Sequence, residues 1–383
     1  MRILYGVVGE GMGHATRSRV VLEHLLTRGH DVHVVVSGKA HGFLKAALAG
    51  GPRAAVTEIA GLRLVQDDGG VDKSASLVAN LVDAPASLVK NLGAYVEVAS
   101  SFRPDAVVSD FESFAYLFAR THDLPVISLD NIQVLNRCAH DRWLTDASRW
   151  SVFLAKASAK VKMPGAWHYL VTSFFFPPVR KARTTLIPPI LRPEILAARR
   201  EPGEHVLVYQ HAEAVEALLP ALRARTDVAF RVYGSRREGS DGNLSFQAFS
   251  QQGFIDDLRT ARGVVAGGGF TLMSEAVHLG VPMLSVPLGS QAEQAFNAAY
   301  LEHLGYGVEA PSLDVAALDG FLGRLPALTE RLASYPRQDN RMAMGCLDEL
   351  LAGLASGEPR PEFLRHASMG DRFDAETIRR TGG

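Results

Sequence analysis

The sequence predicts two doubly wound α/β domains that face each other across a cleft. Three observations carry this expectation. Strands and amphipathic helices alternate along both halves, each half has a glycine-rich turn where a buried strand runs into a helix, and 383 residues is about twice the usual span of one domain.

The first strand is Ile3 to Val8, apolar and partly β-branched as a buried parallel strand is. Gly9-Glu10-Gly11-Met12-Gly13-His14 follows it. Residues Ala15 to Arg28 then read as an amphipathic helix, with Val20, Val21 and Leu25 on the apolar face and Arg17, Arg19 and Glu23 elsewhere. The alternation continues with a strand at Val32–Ser37, a helix at His41–Ala49 and a strand at Ala54–Ile59. A long helical region covers Ser74–Ser101, before a strand at Asp105–Asp110, a helix at Phe111–His122 and a strand at Pro125–Leu129. The proline-rich run Leu186–Pro193 interrupts the pattern, which predicts a first domain over 1–188 and a linker over 189–203. A second alternation fills 204–335: strands near His205–Tyr209, Ala229–Tyr233, Gly263–Ala266 and Pro282–Val286, with helices at Ala214–Ala224, Leu272–Leu279 and Glu293–Leu304. A helix over 336–355 is expected to return to the first domain, and 356–383, rich in Arg, Gly and Pro, reads as a loose tail.

Bulk properties exclude several classes. With 47% hydrophobic and 21% charged residues the composition is that of an ordinary globular chain. A net charge of −1 gives no global attraction for nucleic acid or an anionic membrane. The two cysteines, Cys138 and Cys346, lie far apart without metal-type spacing, which fits a reducing cytoplasm. No signal segment opens the chain, and no apolar run reaches the roughly 18–20 residues that span a bilayer.

The glycine turns carry the chemistry. A dinucleotide fingerprint would need a third glycine where His14 stands and an acidic residue where the second strand ends in Ser37, so the NAD reading is weakened. His14 can instead serve as a general base, or merely as a structural histidine; Asp110 can orient it, or simply cap the next helix. In the second half, Gly267-Gly268-Gly269-Phe270-Thr271-Leu272-Met273-Ser274-Glu275 joins an anion-receptive helix start to a carboxylate suited to vicinal ribose hydroxyls. Glu275 could equally complement the helix dipole. Glu293-Gln294 opens another helix and suits sugar hydroxyls, or is an ordinary polar first turn. Asp110-Phe111-Glu112 is a weak metal-binding candidate, and none of the 13 histidines has H-E-x-x-H spacing. Trp150, Phe153, Lys156, Lys160 and Lys162, with the apolar run Leu170–Pro178, leave room for a membrane-facing surface, although a core helix and strand explain them better.

The ordered set Gln252-Gly253-Phe254-Ile255-Asp256-Asp257-Leu258, Gly267–Gly269, Ser274-Glu275-Ala276, Gly280-Val281-Pro282 and Glu293-Gln294 with Asn297-Ala298 resembles the donor domain of GT-B nucleotide-sugar glycosyltransferases. The peptidoglycan lipid-intermediate N-acetylglucosaminyltransferase and the UDP-glycosyltransferases share these landmarks. Gly9-x-Gly11-x-Gly13-His14 and Val107–Glu112 are similar to the acceptor-side loops of the same superfamily, and the match runs to about residue 350. Ser109–Glu112 and Leu129–Asn131 point to a bacterial and archaeal branch.

The resemblance implies two Rossmann-like domains in the GT-B architecture. It implies an inverting, metal-independent transfer of a hexose or N-acetylhexosamine from a nucleoside-diphosphate sugar, UDP first, to a hydroxyl of a lipid-linked, saccharide or small-molecule acceptor. The nucleotide sugar is a co-substrate and no cofactor is implied. His14 would be the base and Asp110 its partner, with Gly11, Met12, Gly13 and Glu112 in the acceptor-side loops. Phe254 and Ile255 would hold the nucleobase, Gly268, Gly269, Phe270 and Thr271 the diphosphate, Glu275 the ribose, and Glu293 and Gln294 the hexose. The loop Tyr209-Gln210-His211-Ala212-Glu213 lacks the glycine and serine pattern of many relatives, which leaves its phosphate contacts open. The expected setting is the cytoplasm, with a peripheral contact at the inner face of the membrane left open and nucleic acid excluded. The competing readings are a nucleotide-sugar 2-epimerase of the same plan and a nucleotide-sugar binding protein.

Overall fold

The computed structural model describes residues 1–9, 11–61, 65–67, 70–72, 86–141, 159–160, 162–248, 250–288, 291–362 and 364–370. Two seven-stranded sheets organise the chain. The first contains β1 (Arg2–Val7), β2 (Asp31–Val36) and β3 (Ala54–Glu58). A short antiparallel pair, β4 (Val65–Asp67) with β5 (Gly70–Asp72), stands apart from it. The first sheet then adds β6 (Ala106–Asp110), β7 (Val126–Asp130), β8 (His168–Thr172) and β9 (Thr184–Ile187). Its order is β3-β2-β1-β6-β7-β8-β9, parallel throughout.

The second sheet comprises β10 (Val206–Tyr209), β11 (Phe230–Tyr233), β12 (Gly239–Asp241), β13 (Leu244–Phe246), β14 (Gly263–Ala266), β15 (Met283–Ser285) and β16 (Gly307–Glu309). Its order is β12-β13-β11-β10-β14-β15-β16, with only β12 antiparallel. Strands buried on both faces read as continuous apolar runs, and β6, β7 and β8 are buried along their whole length.

Helices of the first half include α1 (Met12–Thr27), α2 (Lys39–Ala47), α3 (Ser113–Thr121) and the single turn α4 (Val134–Arg137). Residues 86–97 are also helical and end in a wide turn at Val98–Phe102. In the linker lies α5 (Pro193–Ala197). The second half has α6 (Ala212–Ala224), α7 (Gln251–Thr260), α8 (Phe270–Leu279), α9 (Ala292–His303) and α10 (Val315–Ala333).

The last long helix, α11 (Arg341–Ser356), leaves the second domain and lies on the first. Its Cys346, Leu347, Leu350 and Leu351 share a core cluster with Ile3, Tyr5, Trp167 and Leu170. The crossing is pinned where Asn340 exchanges two hydrogen bonds with the Leu191 backbone, 2.9 and 2.6 Å, and His24 Nε2 meets Asp348 at 2.8 Å. The start of the expected loose tail is ordered instead. Leu364 is buried, Arg365–Gly370 form a 3₁₀ turn, and His366 Nδ1 lies 2.8 Å from Glu349.

One core cluster runs through both domains. At their junction Phe175 stacks on Tyr300, ring centroids 3.9 Å apart, and Phe174 stacks on Phe270 at 6.0 Å. The apolar run Leu170–Pro178 therefore builds β8 and the domain interface. Its reading as a lipid-facing surface falls, since Phe174 and Phe175 are buried there. Lys160 is exposed and Lys162 stacks over Phe111 at 4.2 Å, while Trp150, Phe153 and Lys156 lie outside the described residues. Among the described residues no helix is long and apolar enough to cross a membrane.

Candidate active site

Each sheet reverses its winding at one crevice. In the first it lies between β1 and β6, in the second between β10 and β14. Ligands of such sheets bind at the carboxyl ends of the strands beside that crevice. The sequence places its glycine turns there: Gly9 to Gly13 follows β1, and Gly267-Gly268-Gly269 follows β14.

On the first side the helix starts earlier than the apolar pattern suggests. α1 begins at Met12, so His14 sits in its first turn rather than at a loop tip. Asp110 ends β6 in the neighbouring strand, and its Oδ1 lies 2.8 Å from His14 Nδ1. Arg17, one turn further along α1, grips the same carboxylate: Nε donates to Oδ2 at 3.1 Å and Nη2 donates to Oδ1. Ser18 Oγ donates to Oδ2 at 3.0 Å. Burial alone would raise the Asp110 pKa. The guanidinium and imidazole reverse that and hold it at about 2.

The next strand carries a second buried acid under opposite conditions. Asp130, at the end of β7, accepts from Ser128 Oγ at 2.7 Å and from the Gln133 N–H at 2.8 Å. Burial, helped by the Asp110 charge, raises its pKa to about 6.

On the second side, α8 starts at Phe270 with Gly269 as its N-cap, and no side chain caps it. Its first N–H groups and the helix dipole are thus open to an anion. Gly268 is required by packing, because a Cβ there would fall 2.2 Å from the Gln294 carbonyl oxygen. Neutral amides clasp the turn. Gln294 Oε1 accepts from the N–H groups of Gly268 and Leu288, both at 3.2 Å, and Asn297 Nδ2 donates to Gly268 O at 3.1 Å. Gln210 is buried beside Gly267, while His211 is the exposed N-cap of α6.

The two sides touch. A Cβ on Gly13 would lie 2.6 Å from Thr271 Oγ1, so this glycine lets α1 approach α8. The Arg17 guanidinium stands 6.0 Å from the Phe270 ring centre. Asn131 Nδ2 donates to Glu293 Oε1 at 2.5 Å. From the linker, Arg192 clamps both oxygens of Glu275 at 2.7 and 2.8 Å. Glu275 is 2% exposed, and burial raises its pKa despite that clamp. Arg19 in turn holds Glu194 with 2.7 and 2.8 Å bonds, tying α1 to the linker.

The structure thus gathers His14, Asp110, Gly13, Phe270, Thr271, Glu293 and Gln294 at one cleft, with Gly11 and the exposed Met12 at its edge. Three expectations change. Asp110 is no helix cap: Glu112 caps α3, accepting from the N–H groups of Phe114 and Ala115 at 2.8 and 2.7 Å, and is buried in doing so. Phe254 and Ile255 stand inside α7, where the Phe254 N–H is committed to Ser250 O at 2.8 Å. Their side chains are buried, Phe254 edge-on to Tyr209 and Tyr233, so a base-binding backbone edge is not open at these two residues. Arg17, assigned to the polar face, is 3% exposed. Its position three residues after His14, on the same helix face, was the available signal. Arg192 had none. Glu10, Gly289 and Ser290 lie outside the described residues. Among the described residues no three His, Cys, Asp or Glu side chains cluster as metal ligands.

Two doubly wound domains with opposed crevices define the GT-B fold, and solved structures agree. A spinosyn forosaminyltransferase superposes with a TM-score of 0.63 at 17% identity, covering 93% of this chain and 99% of that one. LpCGTa, solved in complex with UDP, gives 0.60 at 15% identity and covers 98% and 99%. In sequence, a glycosyltransferase of Methanosarcina mazei is 26% identical over 337 residues, 80% of this chain and 85% of its own length. The chain belongs to glycosyl transferase family 1, matched over residues 1–326.

Proposed function

We propose that this glycosyltransferase moves a hexose or N-acetylhexosamine from a UDP-sugar to an acceptor hydroxyl, in one inverting step and without a metal. The observation that carries the reading is the His14–Asp110 pair, 2.8 Å apart, on the wall facing the uncapped start of α8. His14 takes the hydroxyl proton as the oxygen attacks the anomeric carbon, and Asp110 stabilises the imidazolium that forms. The diphosphate leaves toward the N–H groups of Phe270 and Thr271, where helix polarity offsets the charge that a metal would otherwise carry. Glu293 and Gln294 bind the hexose, and Glu275 takes the ribose hydroxyls once Arg192, which clamps both its oxygens in the free protein, yields one of them. UDP as the nucleotide is supported by the likeness to LpCGTa, a protein solved with UDP.

The test is release of UDP from UDP-glucose and UDP-N-acetylglucosamine with panels of lipid-linked, saccharide and phenolic acceptors. Turnover should persist in excess chelator, and the new glycosidic bond should have inverted anomeric configuration. A retained configuration, or activity abolished by chelator and restored by magnesium, would overturn the mechanism.

A further inference from the structure

A hydrogen-bonded path crosses the cleft through two residues that the proposed reaction leaves without a task. Asp110 is forked by Arg17, Arg17 Nη1 donates to Asn131 Oδ1 at 3.1 Å, and Asn131 Nδ2 donates to Glu293 Oε1 at 2.5 Å. We propose that Arg17 and Asn131 are positioning residues that couple sugar occupancy at Glu293 to the tautomer of His14. This rests on the reading of His14 as base and Glu293 as a hexose ligand.

His14 Nδ1 has two neighbours that make opposite demands. Asp110 Oδ1, at 2.8 Å, accepts only, so it favours a proton on Nδ1 and leaves the lone pair on Nε2. That ring can take a proton from an acceptor. Arg17 Nη2, at 3.0 Å, donates only, so it favours a bare Nδ1 with the proton on Nε2. That ring is idle as a base. The balance follows the position of the rigid, planar guanidinium, which Asp110 holds from one side and Asn131 from the other.

Asn131 has one orientation that satisfies both neighbours, its carbonyl toward Arg17 and its amide toward Glu293. Both Asn131 and Arg17 are buried, so neither can relax freely into water. Hexose hydroxyls that donate to Glu293 compete with the Asn131 amide for that carboxylate. The amide then shifts, the guanidinium follows, and Asp110 wins Nδ1. In the change one proton leaves Nε2 for water and another joins Nδ1 from water, so charge balances. The base becomes competent when a sugar-bearing donor is in place.

The experiment reads the ring nitrogens of His14 by ¹⁵N NMR in the full chain labelled at histidine, with His14→Gln giving the assignment. UDP, UDP-glucose and UDP-N-acetylglucosamine are added in turn, with calorimetry confirming saturation. Sugar nucleotides should raise the ratio of Nδ1–H to Nε2–H by about fivefold or more, the low end of ordinary site–site coupling, whereas UDP alone should not. Asn131→Leu should remove that response, and Glu293→Leu, which cuts the same link from the other domain, should remove it as well. Arg17→Lys, which keeps the charge and loses the fork, should hold the ring as Nδ1–H with or without ligand. Saturating UDP-sugar that leaves His14 as UDP does, or a full response in a folded Asn131→Leu or Glu293→Leu variant, overturns the coupling alone. No binding of any of the three nucleotides overturns the donor reading and the coupling with it.

Discussion

The two glycine turns look alike in sequence and differ in what surrounds them. Beside Gly9–Gly13 the chain buries charge: Arg17, Asp110 and Asp130 stand together with His14. Beside Gly267–Gly269 it places neutral amides, Gln210, Gln294 and Asn297, and leaves the start of α8 without a cap. The same strand–turn–helix geometry therefore serves two kinds of chemistry. Buried charges at fixed spacing can move and hold a proton. Neutral amides shape a turn without filling the partial positive charge of the helix end, which stays available to a diphosphate.

The largest expected effect breaks the first turn. His14→Ala should lower the single-turnover rate by roughly 10²–10⁴-fold, the usual worth of general-base assistance. Donor affinity should stay within about threefold, below the 1.4 kcal/mol of a tenfold change. Asp110→Asn should lose a comparable amount, since the Asp110 charge no longer competes with Arg17 Nη2 for His14 Nδ1 and the ring shifts to the tautomer that is idle as a base. Near-normal turnover in His14→Ala would reduce both turns to phosphate-binding loops, and the contrast between them would disappear.

The next effect probes the charge that the donor side does bury. Removing one partner of a buried ion pair costs about 3–5 kcal/mol, so Glu275→Ala should lower the unfolding midpoint in denaturant markedly, and UDP affinity with it. The double variant Glu275→Leu with Arg192→Met separates these roles. It should recover most of the stability and none of the UDP binding. Recovery of both would make Glu275 a purely structural partner of the linker.

How much of this was legible follows from what periodicity can encode. The alternation of strands and helices and both turns could be read directly, because buried parallel strands and glycine turns leave local patterns. The pairing of His14 with Asp110, 96 residues apart, was instead named by the resemblance, the residues alone leaving each a structural role. Strand β8 left a weaker pattern, since Leu170–Pro178, which it enters, is apolar without alternation, and β9, Thr184–Ile187, is only four residues long and runs into the prolines of the linker. Arg17 was misread because a helical wheel sorts charged residues outward, and its burial is made tolerable by Asp110, 93 residues away, and Asn131, 114 residues away. The Arg192–Glu275 clamp joins residues 83 apart through the linker, a tertiary fact with no local trace. Glu112 displaced Asp110 as the cap because the helix starts at Ser113, and boundaries are the part that local patterns fix least well.

A smaller effect divides the donor side itself. Glu293→Ala should weaken UDP-glucose or UDP-N-acetylglucosamine by about 1.5–3 kcal/mol, the range for hydrogen bonds to a charged group, and spare UDP. Calorimetry giving Glu293→Ala and Glu275→Ala the same ligand profile would end that division.

The smallest effect returns to the charged side and depends on pH. Asp110 and Asp130 end adjacent strands, yet their pKa values move apart, to about 2 and about 6. For Asp110, depressed below its ordinary 3.8, the stabilisation is complete above pH 4 and is lost as pH falls toward 2. For Asp130 the sign reverses. Between about pH 4 and 6 the folded chain keeps a proton that the unfolded chain has released, so ionising it costs stability as pH rises. The cost is at most about 1.4 kcal/mol per pH unit across that window, a few degrees of Tm in a chain of this length. Asp130→Asn removes it. The variant also loses one of the two hydrogen bonds from Ser128 Oγ and the Gln133 N–H, but that loss is the same at every pH. The Tm of Asp130→Asn minus that of the parent should therefore rise from pH 4.5 to pH 7 and level off above. A difference that stays flat would mean that Asp130 is ionised throughout, and the first crevice would then hold two buried carboxylates against one guanidinium.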